Sequence, residues 1–163
     1  MKKFLLLIVF SLLNACNSEE MTTYYLIRHA EKDRTNKANR DPNLNEKGQE
    51  RVKIWTNYFE NIDLDAVYST QFKRTMQTAK TIARNKSLEI QNYDHLKMYD
   101  AVFQKETKEK KVLIVGHSNT TPSFVNKILG EKKYKNMNDR DNSPLYIVTI
   151  KGDEKTSVVE IVN

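Results

Sequence analysis

Short runs of β-branched, aromatic and other apolar residues alternate with longer segments of helical periodicity along most of this 163-residue chain. The runs predict strands at residues 23–28, 66–69, 88–91 and 111–116. Between them, apolar residues recur at a spacing of three and four, which is typical of helices with one buried face. Such alternation is typical of an α/β fold. We therefore expect a mostly parallel central sheet with helices on both of its faces.

Residues that favour helix ends flank several of these segments. Asn45 stands where it can cap a first helix, and Thr121 and Pro122 stand at the start of a shorter one. Gly130 follows that shorter helix, where a left-handed terminating residue is usual. The predicted helices are residues 46–59, 71–85, 94–110 and 122–129.

The end of the chain predicts a β-hairpin. Residues 145–150 and 157–162 alternate between apolar and polar side chains, and Gly152 lies between them at a turn. No repeat, low-complexity tract or linker divides the sequence after its N-terminal segment. We therefore expect a single domain over residues 23–163.

The N-terminal segment has the character of an export signal. A lysine pair precedes the apolar stretch 4–13, and Cys16 follows shortly after it. This order resembles a bacterial lipoprotein signal, and a stretch of ten residues that is apolar except for Ser11 is shorter than the about 20 residues that a helix needs to span a bilayer. We expect residues 1–15 to be removed as a signal peptide, Cys16 to carry lipid and residues 16–22 to form a polar tether. The protein would then be exported and anchored to a bacterial membrane, on its periplasmic or cell-surface side. The alternative is a buried N-terminal strand with an inert cysteine.

Charge and cysteine content limit the partners of the chain. The formal net charge is +6, and the basic residues are scattered without a nucleic-acid-binding motif, so we expect solvated faces and no nucleic-acid partner. The same mild positive field favours a small anionic substrate. Cys16 is the only cysteine, which excludes an intrachain disulfide and a metal site built from cysteines.

Reactive side chains follow three of the predicted strands. The first strand ends at Arg28 and is followed by His29, the second leads to Arg74 at a helix start, and the fourth is followed by His117. In open α/β sheets, ligands bind outside the carboxyl ends of the strands. We therefore expect these four side chains to converge on one crevice.

These residues stand in four sequence blocks: Leu-Ile-Arg-His-Ala-Glu-Lys at 26–32, Asp-Pro-Asn-Leu-Asn-Glu-Lys-Gly at 41–48, Ser-Thr-Gln-Phe-Lys-Arg-Thr-Met-Gln-Thr-Ala at 69–79, and Gly-His-Ser-Asn at 116–119. In this order the blocks resemble the histidine phosphatase superfamily, whose fold is also called phosphoglycerate-mutase-like. The chain lacks the long insertions that close over the site in the mutases of that family. Its compact outline therefore resembles the small phosphohistidine-phosphatase branch.

The resemblance implies a role for each residue at the strand ends. His29 would be the nucleophile that accepts the phosphoryl group, and Arg28, Arg74 and His117 would form the phosphate pocket. The chain would be a phosphatase that hydrolyses small phosphomonoesters or phosphoramidates through a phosphohistidine. These residue types suit those roles, because guanidinium groups pair with phosphate oxygens and a neutral imidazole has a lone pair for attack. No metal or other cofactor is expected.

The group that protonates the leaving oxygen is less well marked. Asp94 ranks first, because it follows the third predicted strand on the edge expected to carry His29 and His117. Glu31 ranks second, because it lies two residues after His29 but could equally pair with Lys32. The pKa of a carboxyl group beside a bound anion is raised, which suits a general acid.

Two alternatives to a phosphatase site stay open. His29, His95 and His117 could bind a metal ion, although Arg28 and Arg74 would repel a cation and no close-spaced ligand motif accompanies the histidines. A module that binds a phosphorylated ligand without catalysis could use the same fold, because a fold does not determine function.

Overall fold

The computed structural model describes residues 20–163, so the predicted signal peptide and the predicted lipid site at Cys16 lie outside the described residues. Among the described helices, none is long and apolar enough to cross a membrane. The elements in chain order are β1 (Met21–Arg28), α1 (Glu46–Tyr58), β2 (Ala66–Ser69), α2 (Lys73–Asn85), β3 (Ile90–Asn92), α3 (Ala101–Thr107), β4 (Lys111–Gly116), α4 (Thr120–Leu129), β5 (Pro144–Lys151) and β6 (Glu154–Ile161).

The strands form one six-stranded sheet in the order β3-β2-β4-β1-β5-β6. The first four strands of that order run parallel, whereas β5 is antiparallel to β1 and β6 is antiparallel to β5. The predicted α/β fold, its mostly parallel sheet and its C-terminal hairpin are confirmed. The hairpin turns at Gly152, whose φ of 58° lies in the left-handed region that glycine tolerates.

Helices cover both faces of the sheet, because side chains of the strands alternate between two apolar cores. On one face, Leu26 of β1 packs in a cluster with Phe103 of α3 and Phe124 of α4. On the other face, Ile27 packs in a cluster with Trp55 of α1 and with residues of α2. Strand β4 is buried over five consecutive residues and contributes to both clusters, which is typical of a parallel strand covered on both sides.

Several strand boundaries differ from the prediction. The first strand begins at Met21 instead of residue 23, because Met21 and Thr22 pair with Lys151 and Ile150 of β5. These two residues therefore extend the sheet and do not belong to the predicted tether. Strand β3 lies at Ile90–Asn92 instead of residues 88–91, in register with β2.

The helix boundaries are confirmed in part. Asn45 caps α1 by accepting a hydrogen bond from the Gly48 amide at 2.9 Å, and Gly130 ends α4 with a φ of 78°. The predicted cap at Thr121 is wrong, because α4 already begins at Thr120 and the Thr121 hydroxyl donates to the Ile27 carbonyl. The predicted helix over residues 71–85 begins at Lys73.

The predicted helix over residues 94–110 is also wrong in extent, because only Ala101–Thr107 is helical. Asp100 caps this helix by accepting from the Phe103 amide at 2.9 Å. Tyr99 has a φ of 58°, which a continuous right-handed helix cannot contain. The residues from Asp94 onward therefore form a turn that leads to α3.

Candidate active site

The carboxyl ends of β1 and β4 bring the two histidines together. Arg28 and Gly116 are paired in register, and the His29 amide donates to the Gly116 carbonyl at 2.9 Å. The imidazole rings of His29 and His117 consequently lie 5.5 Å apart between centroids. Helix α2 starts near the same edge and places Nη2 of Arg74 3.4 Å from Nδ1 of His117. The four side chains that the sequence predicted to converge do lie together.

A cavity of about 290 Å³ opens over these four residues. Its lining includes seven residues in addition to those four, and of these seven the sequence marks only His95 as a candidate ligand. The lining residues are Arg28, His29, Lys32, Phe72, Arg74, His95, His117, Ser118, Asn119, Thr120 and Asp139.

His29 has the geometry of a neutral nucleophile. Its Nδ1 lies 2.7 Å from the carbonyl oxygen of Ala30, and since a carbonyl only accepts, Nδ1 carries the proton. The lone pair is therefore on Nε2. Burial lowers the pKa of His29 to about 3. The hydrogen bond to Ala30 alone would raise this pKa, whereas the charge of Arg28 lowers it further. The imidazole is consequently uncharged at neutral pH.

His117 is held by hydrogen bonds on both ring nitrogens. The guanidinium of Arg74 only donates, so Nδ1 of His117 accepts from it, and Nε2 donates to the Thr70 hydroxyl at 3.0 Å. The Thr70 hydroxyl is in turn 3.0 Å from that of Thr75. Burial, together with the charge of Arg74, lowers the pKa of His117 to about 4. His117 therefore gains a second donor group, at Nδ1, only when a bound anion draws a proton onto it.

Arg28 is 1% exposed and is held by the loop that follows α4. Its Nη2 donates to a carboxylate oxygen of Asp139 at 2.7 Å, and its Nη1 donates to the carbonyls of Asn138 and Asp141 at 3.0 and 3.2 Å. The buried Nε atoms of Arg28 and Arg74 have no hydrogen-bond partner within residues 20–163. Both guanidinium groups line the cavity, and an oxyanion is the kind of ligand that pairs with such groups.

Asp139 is the one carboxylate in the cavity lining of the described chain. Burial alone would raise the pKa of Asp139, but the hydrogen bond from Arg34 and the charge of Arg28 outweigh it and lower the pKa. Nη1 of Arg34 lies 2.9 Å from Oδ2 of Asp139. No sequence pattern marks Asp139, because it stands in a polar loop with no motif around it.

The two predicted proton donors occupy different places. The Asp94 carboxylate accepts from the Leu96 amide at 2.9 Å and lines a separate cavity, whereas the adjacent His95 lines the cavity of His29. Glu31 lines a neighbouring cavity with His29 and forms an ion pair with Arg51 at 3.5 Å. Neither carboxylate therefore lines the cavity over Arg28 and Arg74, although the charge of Glu31 acts on Arg28.

The charges of the cavity suit an anion. Within the described chain, no group of three or more His, Cys, Asp or Glu side chains is placed to hold a metal ion. The charged groups closest to His117 include the guanidinium of Arg74, which attracts an anion and repels a cation.

Comparison with protein families matches residues 24–101 to the family described as the histidine phosphatase superfamily (branch 1). A curated relative, phosphoserine phosphatase 1 of Hydrogenobacter thermophilus (strain DSM 6534 / IAM 12695 / TK-6), is 33% identical over 100 residues. That match covers 55% of this chain and 47% of the relative, so the chain spans about half the length of that relative.

Solved structures share the fold of the described residues. A phosphoglycerate mutase from Bacillus anthracis str. Sterne superposes with a TM-score of 0.66 at 16% identity, covering 88% of this chain and 93% of that one. The protein histidine phosphatase SixA in complex with tungstate superposes with a TM-score of 0.68 at 15% identity. This match covers 86% of the present chain and 96% of the SixA chain. At these identities the likeness shows the fold alone.

Proposed function

We propose that this chain is a member of the histidine phosphatase superfamily, whose family model matches residues 24–101, and that it is a phosphatase that hydrolyses a small phosphomonoester or phosphoramidate. The observation that carries the proposal is the neutral His29 ring, whose unprotonated Nε2 shares a cavity with Arg28 and Arg74. The relative named as a phosphoserine phosphatase supports the same class of reaction.

In the proposed first step, the lone pair on Nε2 of His29 attacks phosphorus in line with the leaving oxygen. The N–P bond forms as the P–O bond breaks, and the bond electrons stay on the leaving oxygen, which takes up a proton. Arg28 and Arg74 stabilise the charge on the transferred oxygens through charge-assisted hydrogen bonds. Nδ1 of His29 keeps its proton and its bond to Ala30, which holds the ring in orientation.

In the proposed second step, water attacks the phosphorus of the phosphohistidine. The N–P bond breaks, its electron pair returns to Nε2 of His29, and a proton of the water passes to the group that protonated the leaving oxygen. The products are the alcohol or amine and inorganic phosphate. Since two guanidinium groups and His117 supply the stabilising charge and hydrogen bonds, the proposed reaction needs no metal ion.

The proposal is tested by assaying the purified protein with a panel of phosphomonoesters in the presence of a chelator. We expect turnover, and we expect His29→Ala to lose at least roughly 10²-fold in kcat because it removes the nucleophile. Wild-type protein quenched during turnover should carry acid-labile, base-stable phosphate, and His29→Ala should carry none. Binding of vanadate without turnover of any substrate would favour the non-catalytic binding module instead.

We further propose that the protein is exported and lipid-anchored through Cys16. The support is the lysine pair, the apolar stretch 4–13 and the cysteine that follows it. The direction of β1 agrees with such an anchor: the strand starts at Met21 and runs eight residues to Arg28, a rise of roughly 25 Å. An anchor at the start of this strand would leave the cavity on the opposite edge of the sheet, open to substrate.

A further inference from the structure

Cleavage of an alkyl phosphate requires a proton on the leaving oxygen, because an alkoxide is a poor leaving group. The proposed mechanism therefore needs a donor in the cavity besides His29 itself. Within the described chain, the other titratable side chains of the cavity lining are those of Lys32, His95, His117 and Asp139, apart from the two arginines.

Two of these four groups are engaged in other contacts. Asp139 has a lowered pKa and both of its carboxylate oxygens pair with arginines, so it is an anion without a proton to give. His117 is hydrogen-bonded at both ring nitrogens, since Nε2 donates to Thr70 and Nδ1 accepts from Arg74.

His95 lines the same cavity from the turn that follows β3. Its side chain is 49% exposed, and it stands in the turn after β3, on the carboxyl edge of the sheet. The Asp94 carboxylate accepts from the Leu96 amide and so closes this turn around His95. The Asp94 oxygen also lies 4.0 Å from Nδ1 of His95, which is too long for a hydrogen bond, so this contact leaves both ring nitrogens available to a substrate.

His95 is close enough to the catalytic histidine pair to act on it electrostatically. Its charge is among the influences that lower the pKa of His117, after burial and the charge of Arg74. The partial exposure of His95 also suits a group that must exchange protons with solvent between turnovers. Asp94, which is its neighbour in sequence, lines the cavity of Tyr68 and Phe103 instead.

We propose that His95, and not a carboxylic acid, donates the proton to the leaving oxygen in the phosphatase reaction proposed above, on which this inference rests. As the P–O bond breaks, the proton of the His95 imidazolium moves to the leaving oxygen and yields the alcohol. The neutral His95 imidazole then takes a proton from the water that attacks the phosphohistidine, which restores the imidazolium. Asp94 is a positioning residue that holds the turn.

The test compares substrates that differ in their need for this proton. The full-length protein is assayed with 4-nitrophenyl phosphate, whose leaving group departs without protonation, and with glycerol 2-phosphate, whose leaving group requires it. We expect His95→Gln to lower kcat/KM for glycerol 2-phosphate by roughly 10²- to 10⁴-fold and to leave kcat/KM for 4-nitrophenyl phosphate within a few fold of wild type, because kcat/KM reports the steps up to P–O cleavage and not the later attack of water. His95 is half exposed in a turn, and a thermal unfolding curve checks that the variant is folded.

Two variants test the rival assignments in the same assay. Asp94→Asn keeps the oxygen that accepts from Leu96, so it should preserve the wild-type ratio of the two rates. Lys32→Met removes a cation of the cavity and should slow both substrates to a similar extent. Equal slowing of both substrates by His95→Gln, or a selective loss in Asp94→Asn or Lys32→Met alone, would overturn the proposal. A wild-type protein that hydrolyses neither substrate would overturn the phosphatase assignment together with it.

Discussion

The carboxylate of Asp139 lies 2.7 Å from Nη2 of Arg28, so the buried arginine of the proposed phosphate pocket already has an anionic partner inside the chain. The carbonyls of Asn138 and Asp141 hold the other terminal nitrogen of the same guanidinium. The loop after α4 therefore orients Arg28, while the charge of Asp139 opposes the approach of a phosphate. These two effects can be separated by substitution.

Asp139→Asn should strengthen the binding of inorganic phosphate. The asparagine keeps an oxygen that can accept from Arg28 but removes the negative charge, and a like charge at about 4 Å in water costs roughly 1 kcal/mol, or about fivefold in affinity. The measurement is the inhibition constant of phosphate against a phosphomonoester. Asp153→Asn, in the exposed hairpin turn, is the matched control. Weaker phosphate inhibition of Asp139→Asn would show that the carboxylate acts mainly by orienting Arg28.

Arg74→Lys should reduce kcat/KM by roughly 10²- to 10³-fold, the loss typical of removing one stabilising donor from an active site. Lysine keeps the charge but cannot form two parallel hydrogen bonds, and it loses the stacking of the guanidinium over the Phe72 ring at 4.4 Å. Lys80→Arg, on the exposed side of the same helix, controls for changes of basic side chain. If Arg74→Lys lowers kcat/KM by less than about fivefold, the planar guanidinium of Arg74 does not stabilise the transferred phosphoryl group.

The convergence of Arg28, His29 and His117 could be predicted because it depends on strand direction alone. Once β1 and β4 are parallel neighbours, the residues after them must emerge at the same edge, and the pairing of Arg28 with Gly116 brings this about. The approximate place of Arg74 followed for the same reason, since α2 starts just beyond the carboxyl end of β2.

Asp139 and the turn at Asp94 could not be predicted in this way. The bond between Arg28 and Asp139 joins residues 111 positions apart through a loop without regular structure, and no local pattern encodes such a contact. The helix predicted from residue 94 fails because Asp94 and Asp100 bond to nearby amides and Tyr99 has a positive φ. Apolar periodicity carries no information on these local bonds.

Cys16→Ser should release the protein from the membrane fraction without changing its specific activity. The expectation follows from the proposed lipid anchor, because a serine cannot form the thioether that carries the acyl chains. The measurement is the partition of the full-length chain between membrane and soluble fractions of the bacterium that expresses it. Asn17→Ser, at the next position, should stay in the membrane fraction. Retention of Cys16→Ser in the membrane after removal of residues 1–15 would contradict the anchor.

Gly48→Ala should destabilise the protein and lower its activity together. A Cβ at this position of α1 would overlap the backbone carbonyl oxygen of Glu31, which is two residues after the proposed nucleophile His29. Overpacking of this kind costs about 1–3 kcal/mol, and relief requires the segment of His29 to shift. The measurements are the free energy of unfolding in urea and kcat/KM. Lys47→Ala, which is exposed in the same turn, should stay within about 0.5 kcal/mol of wild type.

The two buried histidines should make the protein less stable in mild acid, and His29→Gln should reduce that dependence. Folded His29 and His117 have pKa values of about 3 and about 4, whereas an unfolded histidine titrates near 6.5. Between these limits the unfolded chain binds more protons than the folded one, so the free energy of unfolding falls as the pH falls.

Each such histidine contributes a slope of up to about 1.4 kcal/mol per pH unit, fully developed below the unfolded pKa and ending at the folded pKa. His29→Gln removes one titrating group, so its stability should change less steeply than that of wild type from about pH 6 down to about pH 4. Urea unfolding at several pH values in this range measures both slopes. His117→Gln should flatten the curve in the same direction, with its effect ending nearer pH 4. Parallel curves for wild type and His29→Gln would mean that the His29 ring is hydrated and takes up a proton while the protein remains folded.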